Sequence, residues 1–250
     1  MDLRAHQLNC VSALEQIAAL CEQQNIPYFL LAGSCLGAVR HQGFIPWDDD
    51  IDIGIFNEDY ERFESAVSSG LSGGFTWISN DTTLNYPRFY GKVIYQGTGC
   101  VDVFRLVPLP ASTGDRKKLW KMRKILYKLY CRKFHQQYEN ESLFDQAASF
   151  VMSASVSKKQ IVRLARWNET RFLSRQSGDY INLYSIYTLE KETIKREWLQ
   201  SSSEVLFEGR YYRTVLDTDA YLTHMYGDYM KPPEENMRKL RHIDISFGSE

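Results

Sequence analysis

The sequence has almost no net charge, because 30 lysines and arginines against 31 aspartates and glutamates leave -1. A general electrostatic attraction to nucleic acid is thereby excluded, and any basic surface must be local. Long apolar runs are also missing. The polar opening Met1-Asp2-Leu3-Arg4 leads into neither the apolar centre of a secretion signal nor the roughly 18 apolar residues of a membrane span, so a cytoplasmic protein is expected. Cysteine is sparse: Cys10, Cys21, Cys35, Cys100 and Cys131 are odd in number, scattered, and form neither a C-x-x-C pair nor a cluster with histidine. That pattern argues for a reducing compartment and against a zinc site. With 44% hydrophobic and 24% charged residues over 250 positions, the chain can bury one full core, or one core with a helical insertion.

What is present concentrates between Leu31 and Ile55, LAGSCLGAVRHQGFIPWDDDIDIGI. In Asp50-Ile51-Asp52-Ile53-Gly54-Ile55 the isoleucines recur with the period of a strand buried on one face. Asp50 and Asp52 then share the other face. Side chains two apart on a strand are separated by roughly 6.6 Å at the backbone, so both carboxylates can converge on a hard cation. Mg²⁺ takes a few carboxylates plus substrate phosphate oxygens, and Mn²⁺ can use similar ligands. Upstream, apolar Tyr28 to Leu31 runs into Gly33-Ser34 and a helix-compatible Cys35 to His41. A glycine there lets backbone N–H groups approach a phosphate at a helix N-terminus, and Arg40 adds a cation. Asp48, Asp50 and Asp52 imitate a calcium loop, but its sixth position is Ile53 rather than glycine and its twelfth Asp59 rather than glutamate. Cys35 reads as a small packed residue rather than a nucleophile.

Periodicity places the remaining elements. Leu8, Val11, Leu14, Ile17, Ala18 and Cys21 mark one face of a helix over about 3–24. Asn57 caps a second helix running to about Ser69. Strands are expected at 75–79, 88–95 and 100–107, the last holding Asp102 between valines. From Asp115 the composition turns basic. Leu119, Met122, Leu126, Leu129 and Tyr130 fall on one side of a helix and Lys117, Lys121, Lys124, Lys128 and Arg132 on the other. Such a helix packs on a core by its apolar side, or lies on an anionic membrane through 116–134. Further helices are expected at 143–152, 159–173 and 190–199. A strand is expected at 180–187 and a hairpin at 204–215 turning at Glu208-Gly209-Arg210. Asp217 or Thr218 caps a last helix that Gly227 closes.

Gly33-Ser34, a spacer and Asp50-x-Asp52 look like the signature of the nucleotidyltransferase fold. The run GAVRHQGFIPWDDDIDI resembles the LicD family, whose relatives include fukutin and fukutin-related protein. Tyr226-Gly227-Asp228-Tyr229-Met230, Pro232-Pro233, Arg238 and His242 resemble that family's tail. The resemblance implies an α/β (α+β) fold with a mixed sheet flanked by helices. It divides into a catalytic core at 1–110, a helical insertion at 111–178 and a C-terminal part at 179–250 completing the site.

It also implies Mg²⁺-dependent transfer of a phospho-alcohol such as phosphocholine from its CDP derivative to a glycan or lipid-linked glycan, with release of CMP. Asp50, Asp52 and Asp102 would hold the metal, or Asp102 would take the acceptor proton. Gly33, Ser34 and Arg40 would position the donor diphosphate. Lys92 either reaches the nucleotide phosphates or is an ordinary strand lysine. Asp228 binds acceptor or metal water, or merely ends a helix. Arg238 and His242 belong to a basic tail able to fold over phosphate. Trp47, Tyr90 and Tyr229 are candidates for an aromatic cage around a choline head. Two departures stand out: Arg105-Leu106-Val107 where the family carries a further acid, and Arg213-Thr214-Val215 where it carries proline. The rival readings are transfer of a nucleotide from a nucleoside triphosphate, and a non-catalytic glycan- or membrane-binding module.

Overall fold

A computed structural model describes residues 2–83, 85–134, 153–185 and 187–234. The expected helix at 143–152, Arg238 and His242 lie outside the described residues. The chain forms two compact units: residues 1–77, 92–105 and 194–250 make the first, and residues 78–91 and 106–193 the second.

The first unit is a mixed sheet with helices packed on it. Helix α1 (Leu3–Gln23) is capped by Asp2, whose carboxylate accepts from Arg4 N–H at 3.1 Å. Strand β1 (Tyr28–Leu30) leads to α2 (Ala32–His41), β2 (Ile51–Phe56), α3 (Tyr60–Gly70), β3 (Phe75–Ile78), β4 (Gly91–Tyr95) and β5 (Gly99–Pro110). The chain order of the sheet is completed by β8 (Ser202–Phe207) and β9 (Arg210–Val215), giving β3-β4-β5-β2-β1-β9-β8. β1 is antiparallel to β2, with Leu30 opposite Ile53, and parallel to β9, with Leu30 opposite Thr214. Ile51, Ile53 and Ile55 are all fully buried, as their alternation requires. They meet Leu14, Ile17 and Cys21 of α1 and Phe63 and Val67 of α3 in one core. The β8–β9 hairpin turns at Glu208 and Gly209, both at positive φ, the geometry of the tight turn that matches strand twist. α7 (Thr218–Tyr226) closes at Gly227.

The face of α1 differs from expectation. Leu8 is 49% exposed, while Cys10 and Ala13 are fully buried and His6 and Gln7 nearly so. The helix is turned by two hydrogen bonds: Gln7 Nε2 donates to the Asp48 carbonyl at 2.9 Å, and His6 Nε2 lies 2.7 Å from the Asp49 carbonyl. α3 begins at Tyr60, three residues after the expected cap Asn57.

In the second unit, α4 (Thr113–Lys133) and α5 (Lys158–Thr170) share a core with Val107, Leu109 and Ile181. Leu119, Leu126, Leu129 and Tyr130 are buried on α4, as the pattern requires, and Lys117, Lys121 and Lys124 are exposed. Ser157 caps α5 through reciprocal bonds with Gln160. β6 spans Gln176–Asn182 rather than 180–187, because its polar start pairs with the end of β5, Gln176 opposite Pro110. The helix expected at 190–199 shrinks to α6 (Arg196–Leu199), preceded by the short β7 (Thr193–Ile194). Among the described residues no helix is long and apolar enough to cross a membrane.

Candidate active site

The site is assembled where β1 gives way to α2 beside the start of β2. Leu31 N–H donates to the Asp52 carbonyl at 3.0 Å, and Ser34 Oγ accepts from Asp52 N–H at 2.8 Å. Asp52 is thus clamped on both sides of its backbone. The turn is made by Ala32 at φ 43, and Gly33 and Ser34 lie inside the first turn of α2 rather than ahead of it. Ala32 N–H, at the start of the turn, donates to Tyr221 Oη at 3.0 Å. A Cβ on Gly33 would sit 2.9 Å from Asp48 Oδ2, so a side chain there would displace that carboxylate. Cys35 is fully buried, and burial pushes its thiol up to about 12, against a smaller opposing effect of the Thr214 hydroxyl. This is the packed small residue expected, not a nucleophile.

Carboxylate oxygens of Asp50, Asp52 and Asp102 lie within 4.8 Å of one another, and those of Asp48, Asp49 and Asp50 form a second such group. Asp50 and Asp102 are 7% and 2% exposed. Burial first, then the charges of Asp50, Asp102 and Asp48, hold the Asp52 carboxyl well above the usual carboxylate range, and Lys92 opposes them. Lys92 itself is buried, with Nζ 2.6 Å from Asp102 Oδ1 and 3.3 Å from Cys100 Sγ. Lys92 is thus a cation set among these acids. An all-oxygen set crowded enough to resist ionisation fits a hard divalent cation, which would relieve the mutual repulsion that now favours a proton on Asp52.

The other expected residues distribute as follows. Arg40 donates through Nη1 to the Tyr229 carbonyl at 2.8 Å, tying α2 to the segment after α7. Tyr229 is half-buried and its hydroxyl donates to Asp219 Oδ1 at 2.7 Å, and Asp228 is exposed. Trp47 is half-buried just ahead of the acids. Tyr90 belongs to the second unit, whereas Trp47 and Tyr229 belong to the first.

Sequence reasoning missed the residues that hold the acid segment from behind. His6 and Gln7 bind the carbonyls of Asp49 and Asp48. Glu208, at the tip of the β8–β9 hairpin, accepts from Phe44 N–H at 3.1 Å and pairs with Arg4 at 2.6 Å. Nothing in a one-dimensional pattern pairs a helix glutamine with a carbonyl some forty residues away. The absence of a histidine near the cysteines also fails in three dimensions, because His6, Cys10 and Cys100 converge. The spacing of His6 and Cys10, four apart on α1, was the available signal.

Residues 25–104 match the model of the LicD/FKTN/FKRP nucleotidyltransferase domain. That span carries β1, α2, β2, Lys92 and the acids from Asp48 to Asp102. The chain carries a LicD-family domain. Along 99% of its length it is 28% identical to the lipopolysaccharide cholinephosphotransferase LicD of Haemophilus influenzae, of which it covers 98%. Over 27% of its length it is 38% identical to the human ribitol 5-phosphate transferase FKRP, covering 16% of that protein. A crystal structure of ANT(2")-Ia in complex with adenylyl-2"-tobramycin matches at TM-score 0.28 and 15% identity, over 65% of this chain and 98% of that one, a likeness too slight to inform the chemistry.

Both departures from the LicD pattern have a structural account. Arg105 lays its guanidinium 4.0 Å from the centre of the Tyr60 ring, a cation–π contact, while Tyr60 Oη donates to the Val103 carbonyl. Thr214 is fully buried and donates from Oγ1 to the Leu30 carbonyl at 3.0 Å, a bond that proline could not make, and so fixes β9 beside β1.

Proposed function

We propose that the chain transfers a phospho-alcohol, phosphocholine foremost, from a CDP-activated donor to a hydroxyl of a cell-surface glycan or lipid-linked glycan precursor, releasing CMP. The observation that carries this reading is the convergence of Asp50, Asp52 and Asp102 within 4.8 Å beside the first turn of α2. Full-length likeness to a cholinephosphotransferase supports it. All three acids surround one point, so Asp102 is read as the third ligand of a cation rather than a distant base. Mg²⁺ or Mn²⁺ bound there would neutralise the donor diphosphate and the charge developing on the leaving CMP.

The chain's own residues supply position. Ser34 and Leu31 hold Asp52, Lys92 holds Asp102, and Gly33 keeps the helix start close to Asp48. The N–H groups at the start of α2 favour a phosphate oxygen, and Arg40 lies at the other end of the same helix beside Tyr229. Trp47 and Tyr229 offer aromatic surface for the donor's head group, and Asp228 lies open to an acceptor. The exposed lysines of α4 suit a lipid-linked acceptor at the inner face of an anionic membrane, so we read the protein as cytoplasmic and peripheral.

The test is the product. Purified protein is incubated with Mg²⁺, a glycan acceptor and each of CDP-choline, CDP-ethanolamine, CDP-glycerol and CDP-ribitol, and nucleotides are separated by ion-exchange chromatography. Acceptor-dependent CMP from one donor, lost in Asp50→Asn, supports the proposal. Pyrophosphate released from a nucleoside triphosphate, with no CMP from any donor, would assign nucleotidyl transfer instead.

A further inference from the structure

On the side of α1 that faces the sheet, a ring nitrogen of His6 and the Sγ atoms of Cys10 and Cys100 all lie within 4.8 Å of one another. The three residues are 6%, 0% and 8% exposed. His6 and Cys10 are one helical turn apart and so project from one face of α1. Cys100 opens β5, and its N–H donates to Cys10 Sγ at 3.1 Å. The approach depends on Gly99, where a Cβ would overlap Asn9 and lie 2.5 Å from Cys10 N.

The imidazole supplies the second observation. Its Nε2 is 2.7 Å from the Asp49 carbonyl, which can only accept, so Nε2 carries the proton. Nδ1 is then a lone-pair donor, buried and without a hydrogen bond of ordinary geometry, and the imidazole lies against the Cys100 thiol. A carbonyl holding one ring nitrogen and so directing the other's lone pair is how proteins set the tautomer of a metal-binding histidine.

We propose that His6 Nδ1, Cys10 Sγ and Cys100 Sγ form a site for a borderline-soft transition metal ion of the zinc type, separate from the carboxylate site. One nitrogen and two sulfurs select such an ion over Mg²⁺, which prefers oxygen. Two thiolates cancel a +2 charge, so the loaded site is neutral in a buried setting, and the Lys92–Asp102 ion pair remains neutral beside it. Three protein ligands leave one coordination position for a small donor. Lys92, 3.3 Å from Cys100 Sγ, is an outer hydrogen-bond partner of a ligating sulfur. The same ammonium reaches Asp102, so the metal would also steady an acid of the neighbouring site.

The experiment uses the full, reduced, metal-free chain with excess Mg²⁺ filling the carboxylates, and titrates Co²⁺ as a spectroscopic probe. The expected result is one Co²⁺ per chain with intense near-ultraviolet thiolate-to-cobalt absorption, which carboxylate-bound cobalt lacks. His6→Gln and Cys100→Ser should weaken binding by about tenfold or more, and Asp52→Asn should keep the absorption. Zn²⁺ should displace Co²⁺ and shield two thiols of the unaltered chain from a thiol reagent, a readout that needs no variant to fold. Folded wild-type protein without thiolate–cobalt absorption at excess Co²⁺, or an absorption retained in both His6→Gln and Cys100→Ser, would overturn the proposal.

Discussion

Gly37→Ala sets two known effects against each other at one atom. Gly37 is buried on α2, and a Cβ built there would lie 2.5 Å from the Gly43 carbonyl oxygen and 3.3 Å from Ile45 N. Both neighbours are backbone, and Gly43 N–H returns to the Gly37 carbonyl at 3.4 Å, so neither can swing aside. The methyl is roughly 1 Å short of ordinary contact distance. Overpacking of this kind costs about 1–3 kcal/mol, whereas alanine gains about 1 kcal/mol over glycine in a helix interior. The clash should win by up to about 2 kcal/mol, a fall of up to about 4–8 °C in melting temperature for a chain of this size. Relief requires segment 43–45 to move, and that segment delivers Asp48, Asp49 and Asp50. A misplacement near 1 Å can lower catalysis by about 100-fold, so transfer activity should fall far more than the folded fraction does. Gly114→Ala is the control, because its Cβ would meet only Ser112 Oγ at 3.5 Å, an ordinary contact. It should be neutral to stabilising, by up to about 1 kcal/mol. Urea unfolding followed by circular dichroism, with transfer rates on the same samples, decides the matter. A Gly37→Ala protein more stable than wild type, or fully active, would refute the reasoning.

Lys92→Met strips the ammonium from a pair whose members are 4% and 2% exposed, and should cost about 3–5 kcal/mol in metal-free urea unfolding. Added Mg²⁺ should recover part of it, and an unchanged unfolding midpoint would count against the pair. Ser34→Ala takes the acceptor from Asp52 N–H and should cost about 1–3 kcal/mol, with a loss of transfer rate at unchanged donor affinity separating a misplaced acid from a weakened phosphate contact. Glu192 tests linkage in the second unit. Burial raises its carboxyl from 4.5 to about 7, against the opposing Ser185 hydrogen bond and Arg123 charge. A raised acid penalises the folded state above its folded value, so acidification from about pH 7 towards 4.5 should stabilise the protein by up to roughly 3 kcal/mol through this group. Glu192→Gln should flatten that part of the pH–stability curve, and a curve identical to wild type would contradict the assignment.

Where function shares the period of secondary structure, the sequence was readable. The Asp-Ile alternation of β2 placed two acids opposite three buried isoleucines, and Glu208-Gly209 announced its hairpin. The buried side of α4 followed from spacing, because its large apolar residues fall on one side of the helix. Other features depend on distant partners. α1 turned Leu8 outward because carbonyls at Asp48 and Asp49 drew Gln7 and His6 inward. β6 started early because the end of β5 offered backbone pairing that polar side chains do not advertise, with Ser177 Oγ donating to the Leu109 carbonyl at 3.0 Å. Lys92 was an isolated cation in sequence, and only the meeting of β4 with β5 gave it Asp102.

The most direct test of the account is the change in melting temperature of wild type and Asp52→Asn with Mg²⁺ and CDP-choline, singly and together. A donor that binds only the folded state adds about 2.7 kcal/mol at one hundred times its dissociation constant, which is roughly 5–11 °C here. The account predicts that rise in wild type only when Mg²⁺ and donor are both present, and its loss in a folded Asp52→Asn protein. An equal Mg²⁺-dependent rise in Asp52→Asn would contradict the claim that the converging acids bind the metal that holds the donor.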